Sequence, residues 1–243
     1  MEIRICKDSA ALGKSAASHV AQVLRECIAE QGYARIVLST GASQFDTLSA
    51  LVEEKGIAWD CVEMFHLDEY VDLPITHGAS FRKYLQERFV DKVAPLKGVY
   101  FVDGTREGIA TLTEELRKKP VDIGLIGIGE NGHIAFNDPP ADFDTKEAFI
   151  IVNLDDRCKK QQLGEGWFAT IDDVPKQAVS MTPYQIMQCK RIVSCVPYAV
   201  KTEAVKNTVL AEEVTNMVPA TLLKTHPDFI LYVDEDSASG ILI

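Results

Sequence analysis

Ile123-Gly124-Leu125-Ile126-Gly127-Ile128 is a nearly continuous apolar run, and it empties into Gly129-Glu130-Asn131-Gly132-His133. A short apolar run bounded by turn residues reads as a strand buried on both faces, the kind found in parallel sheets covered by helices on each side. Its surroundings repeat that theme. Residues 107–118 just before it are amphipathic at helical spacing, and Val99-Tyr100-Phe101-Val102 reads as a strand. Towards the N-terminus, Ile3-Arg4-Ile5 predicts a strand. Residues 9–31 predict a helix through Ala17, Val20, Leu24 and Cys27, and Arg35-Ile36-Val37-Leu38-Ser39 a second buried strand. Phe45, Leu48, Leu51 and Val52 mark a helix, residues 61–67 a strand, and Phe81, Tyr84, Leu85 and Phe89 a helix that Ser80 is placed to cap. Towards the C-terminus, residues 130–144 are irregular. Strands are expected at 148–153, 178–181, 191–196 and 230–233, with a helix over 200–210. Alternating strands and helices predict an α/β architecture: a single Rossmann-like domain over residues 1–243, its mostly parallel sheet covered by helices on both faces. No flexible linker, repeat or low-complexity segment marks a boundary.

The composition narrows the function classes. The 243 residues carry 25 Lys+Arg against 36 Asp+Glu, a formal charge of −11, with 47% hydrophobic and 25% charged residues. Those proportions are globular rather than disordered. The acidic balance, with no basic cluster, argues against nucleic acid as a partner. The apolar runs are too short to span a bilayer, so no membrane partner is expected. The start of the chain has no secretory pattern, which points to a cytoplasmic protein. Six cysteines are scattered without a C-x-x-C pair, arguing against structural zinc and a disulfide framework.

In a sheet of this kind ligands bind beyond the carboxyl ends of the strands, and three strand ends are chemically suggestive. Ser39-Thr40-Gly41-Ala42-Ser43 runs through small and hydroxyl residues into a helix. That arrangement suits a phosphate or carboxylate, although it lacks the G-K-[ST] ending of a Walker loop and also reads as a plain turn with Ser43 as N-cap. His66-Leu67-Asp68-Glu69-Tyr70 places two adjacent carboxylates at a strand mouth, where partial burial would equip one to take a proton from carbon next to a carbonyl. Gly127, Gly129 and Gly132 satisfy G-x-G-x-x-G, but Asn137-Asp138-Pro139-Pro140 follows instead of a helix, so the dinucleotide reading fails. What remains is a glycine-rich turn presenting His133, with Asn131 and Asp138 close enough to orient it for proton transfer.

Leu67-Asp68-Glu69-Tyr70-Val71-Asp72-Leu73-Pro74, then His77-x-x-Ser80, then Gly127-x-Gly129-x-Asn131-Gly132-His133-Ile134-Ala135-Phe136-Asn137 together resemble the glucosamine-6-phosphate deaminase family. The resemblance extends from the first helix to about Asp234. It implies aldose–ketose isomerisation of a sugar phosphate with loss of ammonia, in amino-sugar catabolism, without metal or organic cofactor. On the same footing, Asp68 is the base that moves a proton between C2 and C1, and His133 assists opening of the sugar ring. Asn131 and Asp138 flank that histidine. Thr40, Gly41, Ala42 and Ser43 fall on the phosphate loop, and Lys201 on a lysine that contacts the phosphate.

The chain also departs from the family pattern. Asp138 replaces a glutamate, so its reach to His133 calls for a backbone adjustment or a water. Gln162 stands where many members carry a phosphate-binding arginine, with Lys159 or Lys160 as substitutes. Alternatives are a 6-phosphogluconolactonase-type hydrolase, a deaminase of a related amino-sugar phosphate, and a non-catalytic sugar-phosphate binder. Trp167 and Phe168 either cover the site or join the core, and Tyr198 and Arg157 are further neighbours of the phosphate side. The oligomeric state is left open, a homo-oligomer being compatible with the sequence.

Overall fold

A computed structural model of the chain describes residues 1–154, 156–164 and 166–242; the side chain of Arg157 lies outside what is described. Among the described residues, ten strands are β1 (Glu2–Cys6), β2 (Ala34–Leu38), β3 (Val62–His66), β4 (Asp68–Tyr70), β5 (Gly98–Tyr100), β6 (Ile123–Leu125), β7 (Phe149–Asn153), β8 (Gln177–Met181), β9 (Arg191–Val196) and β10 (Phe229–Asp234). The seven α-helices among them are α1 (Ser9–Gln31), α2 (Phe45–Glu53), α3 (Phe81–Arg88), α4 (Arg106–Arg117), α5 (Asp156–Gly164), α6 (Pro183–Ile186) and α7 (Thr202–Val209).

Seven strands form one sheet in the order β1-β10-β9-β6-β2-β3-β5, with every neighbouring pair parallel. Alternation along each strand feeds two cores, because successive side chains point to opposite faces. On β2, Ile36 and Leu38 pack with Leu12, Val20 and Leu24 of α1 and Leu48 and Leu51 of α2. Val37 points the other way, towards Leu112 and Leu116 of α4 and Val205 of α7. This is the mostly parallel, doubly covered α/β sheet expected from the sequence. α1 starts with the Asp8 side chain accepting from Ala11 N–H and stops at Gly32 (φ +79°), whose N–H returns to Ile28.

The strands at 148–153 and 178–181 do not extend that sheet. β7 and β8 pair antiparallel, and β8 pairs antiparallel with β4, giving a second, three-stranded sheet. Asp68-Glu69-Tyr70 is therefore a strand and not a loop. The chain steps from β3 of the first sheet to β4 of the second across Leu67, whose carbonyl accepts from Met181 N–H at 2.7 Å. The run at 123–128 is a strand only as far as Leu125, and α5 had no counterpart in the periodicity because masking charges (Lys159, Lys160) dilute its apolar face. Among the described residues no helix is long and apolar enough to cross a membrane.

Candidate active site

Strand order reverses between β2 and β6. β3 and β5 follow β2 to one side, whereas β6, β9, β10 and β1 lie on the other. Loops leaving the carboxyl ends of two such strands diverge and open a crevice. Here it is a cavity of about 210 Å³ lined by Thr40, Gly41, Ala42, Ser43, Asp68, His133 and Lys201, together with Ser39, Phe81, Gln162 and Tyr198. Asn131 and Asp138 stand behind His133 rather than in the cavity wall. The volume is below the ~300–1,000 Å³ usual for drug-sized ligands and suits a small polar metabolite.

The Thr40–Ser43 segment leaves β2 through Gly41, whose φ of +100° and ψ of +165° require glycine. Tyr84 Oη pins the turn by donating to the Gly41 carbonyl (2.9 Å). Ser43 does not cap α2. A 3₁₀ turn, Ala42–Gln44, runs straight into the helix without a side-chain cap, and Ser43 Oγ accepts from Gln44 Nε2 instead (2.9 Å). The N–H groups of Ala42 and Ser43 have no acceptor within that turn, and both residues line the cavity, where helix polarity favours an anion. Ser39 Oγ, buried in the cavity wall, has no hydrogen-bond partner among the described residues. Lys201 is the single lysine or arginine among the described lining residues, carried by the 3₁₀ turn Ala199–Lys201 after β9.

The two adjacent carboxylates separate completely in role. Glu69 is fully buried and turns towards α3, where it accepts from Ser80 Oγ (2.7 Å), Arg82 N–H (3.0 Å) and Arg82 Nε (3.1 Å). Asp68, 6% exposed, faces the cavity. Burial, with the neighbouring Glu69 charge second, pushes the Asp68 carboxyl up to about 8. A carboxylate with that proton affinity is a competent base near neutral pH.

The His133 ring lies against Gly129, where a Cβ would come within 2.2 Å of Nε2; only glycine leaves it room. Asn131 Oδ1 accepts the His133 backbone N–H (3.0 Å), and a backbone N–H can only donate, so the amide orientation is settled. The same Oδ1 lies 2.7 Å from His133 Nδ1, and Asp138 Oδ1 lies 3.1 Å from it. Two acceptors at Nδ1 put the proton there and leave Nε2 as the acceptor. Asn131 Nδ2 completes the triangle by donating to Asp138 Oδ1 (2.8 Å). The shorter Asp138 side chain thus reaches the histidine directly. A tight turn brings it back: Asn137 Nδ2 donates to the carbonyls of Ile134 (2.7 Å) and Met181 (2.8 Å). Burial alone would raise the Asp138 carboxyl, but hydrogen bonds and charge from His133, then Asn131 and Cys158, hold it down to about 2.

One residue of the second sheet ties both halves of the site together. Ser180 pairs with Asp68 across β4 and β8, and its Oγ accepts from Phe136 N–H (3.0 Å) in the histidine loop.

α5 brings Cys158, which the sequence did not place in the site, and Gln162, which the family pattern had put at the position of a phosphate-binding arginine. Cys158 bonds to Asp138, and Gln162, one turn on, is 5% exposed, lines the cavity and accepts from Tyr70 Oη (2.6 Å). For Cys158, its i, i+4 spacing to Gln162 was the available signal. Lys159 and Lys160 do not line the cavity. Phe168 belongs to a small core with Tyr70 and Phe136, with Trp167 packed against it. His66 and His226 are buried packing residues, holding Val102 N–H (3.1 Å) and Asp228 N–H (3.1 Å).

Comparison with known proteins gives the family and the fold. Residues 7–231 match the family model described as glucosamine-6-phosphate isomerases/6-phosphogluconolactonase. A glucosamine-6-phosphate deaminase of Staphylococcus epidermidis is 34% identical over 93% of this chain and 96% of its own. One of Shouchella clausii is 34% identical over 90% of each. A solved monomeric glucosamine-6-phosphate deaminase superposes with a TM-score of 0.90 at 26% identity, over 99% of this chain and 100% of its own. The 6-phosphogluconolactonase of Thermotoga maritima shares the fold (TM-score 0.78, 15% identity, 96% of this chain and 99% of its own). By the family model and these relatives, the chain belongs to the glucosamine-6-phosphate isomerase/6-phosphogluconolactonase family.

Proposed function

We propose that this chain converts glucosamine 6-phosphate and water into fructose 6-phosphate and ammonia, a step of amino-sugar breakdown carried out in the cytoplasm by residues 1–243 as one domain. The observation that carries the reading is a buried carboxylate of raised proton affinity sharing one small cavity with a histidine whose Nδ1 is held protonated. The phosphate sits at the Thr40–Ser43 loop and Lys201. His133 Nε2 takes the proton of the anomeric hydroxyl and returns a proton to the ring oxygen, opening the sugar. Asp68 removes the C2 proton and delivers it to C1 through an enolamine. Water adds to the resulting C2 imine and ammonia leaves. Asn131 and Asp138 keep the histidine in the working tautomer. Positioning in the cavity and these proton transfers carry the rate.

The test is release of ammonia and fructose 6-phosphate from glucosamine 6-phosphate by purified protein, with galactosamine 6-phosphate and 6-phosphogluconolactone beside it. Stoichiometric ammonia and ketose support the reading; hydrolysis of the lactone alone overturns it. Only ionised Asp68 can accept the C2 proton, so kcat/KM should climb about tenfold per pH unit below pH ~8 and level off above it. Asp68→Glu should displace that limb, whereas a limb set by the substrate's own amine or phosphate would stay where it is and remove Asp68 from the role.

His133→Gln keeps a hydrogen-bonding side chain without the proton relay, and kcat should fall by roughly 10²-fold. Affinity for a reduced, open-chain amino-alditol phosphate should change less than about threefold, because that ligand has no ring to open. Equal losses in both measurements would mean that His133 grips the ligand instead.

A further inference from the structure

Tyr198 occupies a backbone conformation, φ +81° and ψ +143°, that borders the region reserved almost entirely for glycine. The surrounding structure imposes it. Its N–H donates to Asp234 Oδ2 (2.9 Å), and Asp234, 2% exposed, is itself fixed by Ser237 N–H donating to its other oxygen (2.8 Å). Its carbonyl accepts from Lys201 N–H (2.9 Å), which starts the turn that carries Lys201. Glycine would satisfy every one of these backbone bonds without strain, so the feature that needs explaining is the side chain.

That side chain lines the cavity beside Val200 and Lys201. Its hydroxyl lies 3.3 Å from Ser9 Oγ, and Ser9 also bonds to Asp46, in the first turn of α2 directly after the Thr40–Ser43 loop. Tyr198 thus lines the same cavity as Lys201 and the Gly41 loop, with its hydroxyl beside a serine bonded to the first turn of α2. Ser9 has one proton, which the Asp46 carboxylate takes as the stronger acceptor. What Ser9 offers Tyr198 is a neutral lone pair at long range, and an anionic oxygen entering the cavity is the better acceptor for the phenol proton.

We propose that Tyr198 is a binding residue for the anionic end of the ligand, a neutral hydrogen-bond donor set beside Lys201 and the Gly41 loop and held in a glycine-type backbone by Asp234. The inference rests on the sugar-phosphate reading above and extends its phosphate site to β9. A neutral donor complements a cavity whose described lining holds one cation, adding an interaction without further charge.

Two variants and one turnover-independent probe test it. Calorimetry of inorganic phosphate binding to Tyr198→Phe should show an affinity roughly tenfold weaker than wild type, and the KM for glucosamine 6-phosphate should rise in parallel, the loss appearing in KM rather than kcat. Tyr198→Gly should relax the backbone and show the same loss of phosphate affinity, with a melting temperature no lower than wild type. Unchanged phosphate affinity in Tyr198→Phe overturns the proposal, as does a Tyr198→Gly protein that binds phosphate as wild type does. Wild-type protein that binds no phosphate at tens of millimolar also overturns it. Wild type that binds phosphate but releases no ammonia defeats the deaminase reading alone, and the phosphate arm still decides on Tyr198.

Discussion

Asp68→Asn is expected to lower kcat by roughly 10²–10⁴-fold, the range a well-placed proton-transfer group contributes, while binding of sugar phosphate persists. The amide has nearly the same shape and cannot accept the C2 proton, so the loss reads the chemistry rather than the packing. The same substitution should stabilise the protein, and the sign follows from linkage. Burial raises the native carboxyl from 3.8 to about 8, so the folded chain holds this proton more tightly than the unfolded one. The stability associated with the neutral acid is fully present below pH ~4 and is lost as pH climbs towards 8. Asparagine has no proton to lose. Its variant should therefore melt about 5 °C above wild type at pH 8 and converge on it below pH ~4. A variant that keeps near-wild-type turnover, or melts below wild type at pH 8, removes Asp68 from the proposed role.

Glu69→Ala is expected to cost about 3–5 kcal/mol, because it strips the partner from a buried ionic contact. The Arg82 guanidinium, only 15% exposed, loses its ion pair (3.1 Å), and the α3 N-terminus loses the acceptor for Arg82 N–H and Ser80 Oγ. In a chain of this length that corresponds to a drop of roughly 10 °C or more in melting temperature. Phe81, the first residue of α3, lines the cavity, so KM should rise as well. Glu69→Gln, which still accepts from the helix N-terminus, should lose less. Melting of Glu69→Ala within about 2 °C of wild type would show that α3 does not depend on this carboxylate. Adjacent acidic residues thus carry opposite expectations: one variant loses turnover and gains stability, the other loses stability first.

Nothing local to Asp68-Glu69 announces that division. A strand alternates its side chains, so one of the two had to point away from the cavity, but which one is set by the pairing of Asp68 with Ser180 across the second sheet. The antiparallel arrangement of β4, β8 and β7 is equally non-local, and short apolar runs look alike whether they join a parallel or an antiparallel sheet. The histidine loop shows the opposite case. Its glycines, His133, Asn131 and Asp138 are neighbours in sequence, and the turn they predict is the turn observed, with Gly132 N–H returning to Gly129. Even so, Asp138 reaches Nδ1 directly because Asn137 is tied to Met181, a partner on β8.

By itself the sequence determined the elements with strong periodicity, the α/β class, and the three strand ends that could carry chemistry, because these depend on residues a few positions apart. Only the tertiary structure decided that Glu69 turns away to α3, how far burial raises Asp68, which nitrogen of His133 holds the proton, and how Cys158, Gln162 and Tyr198 are held around the cavity. Each of those depends on groups brought together from distant parts of the chain, and burial, hydrogen-bond geometry and backbone strain exist only once they meet.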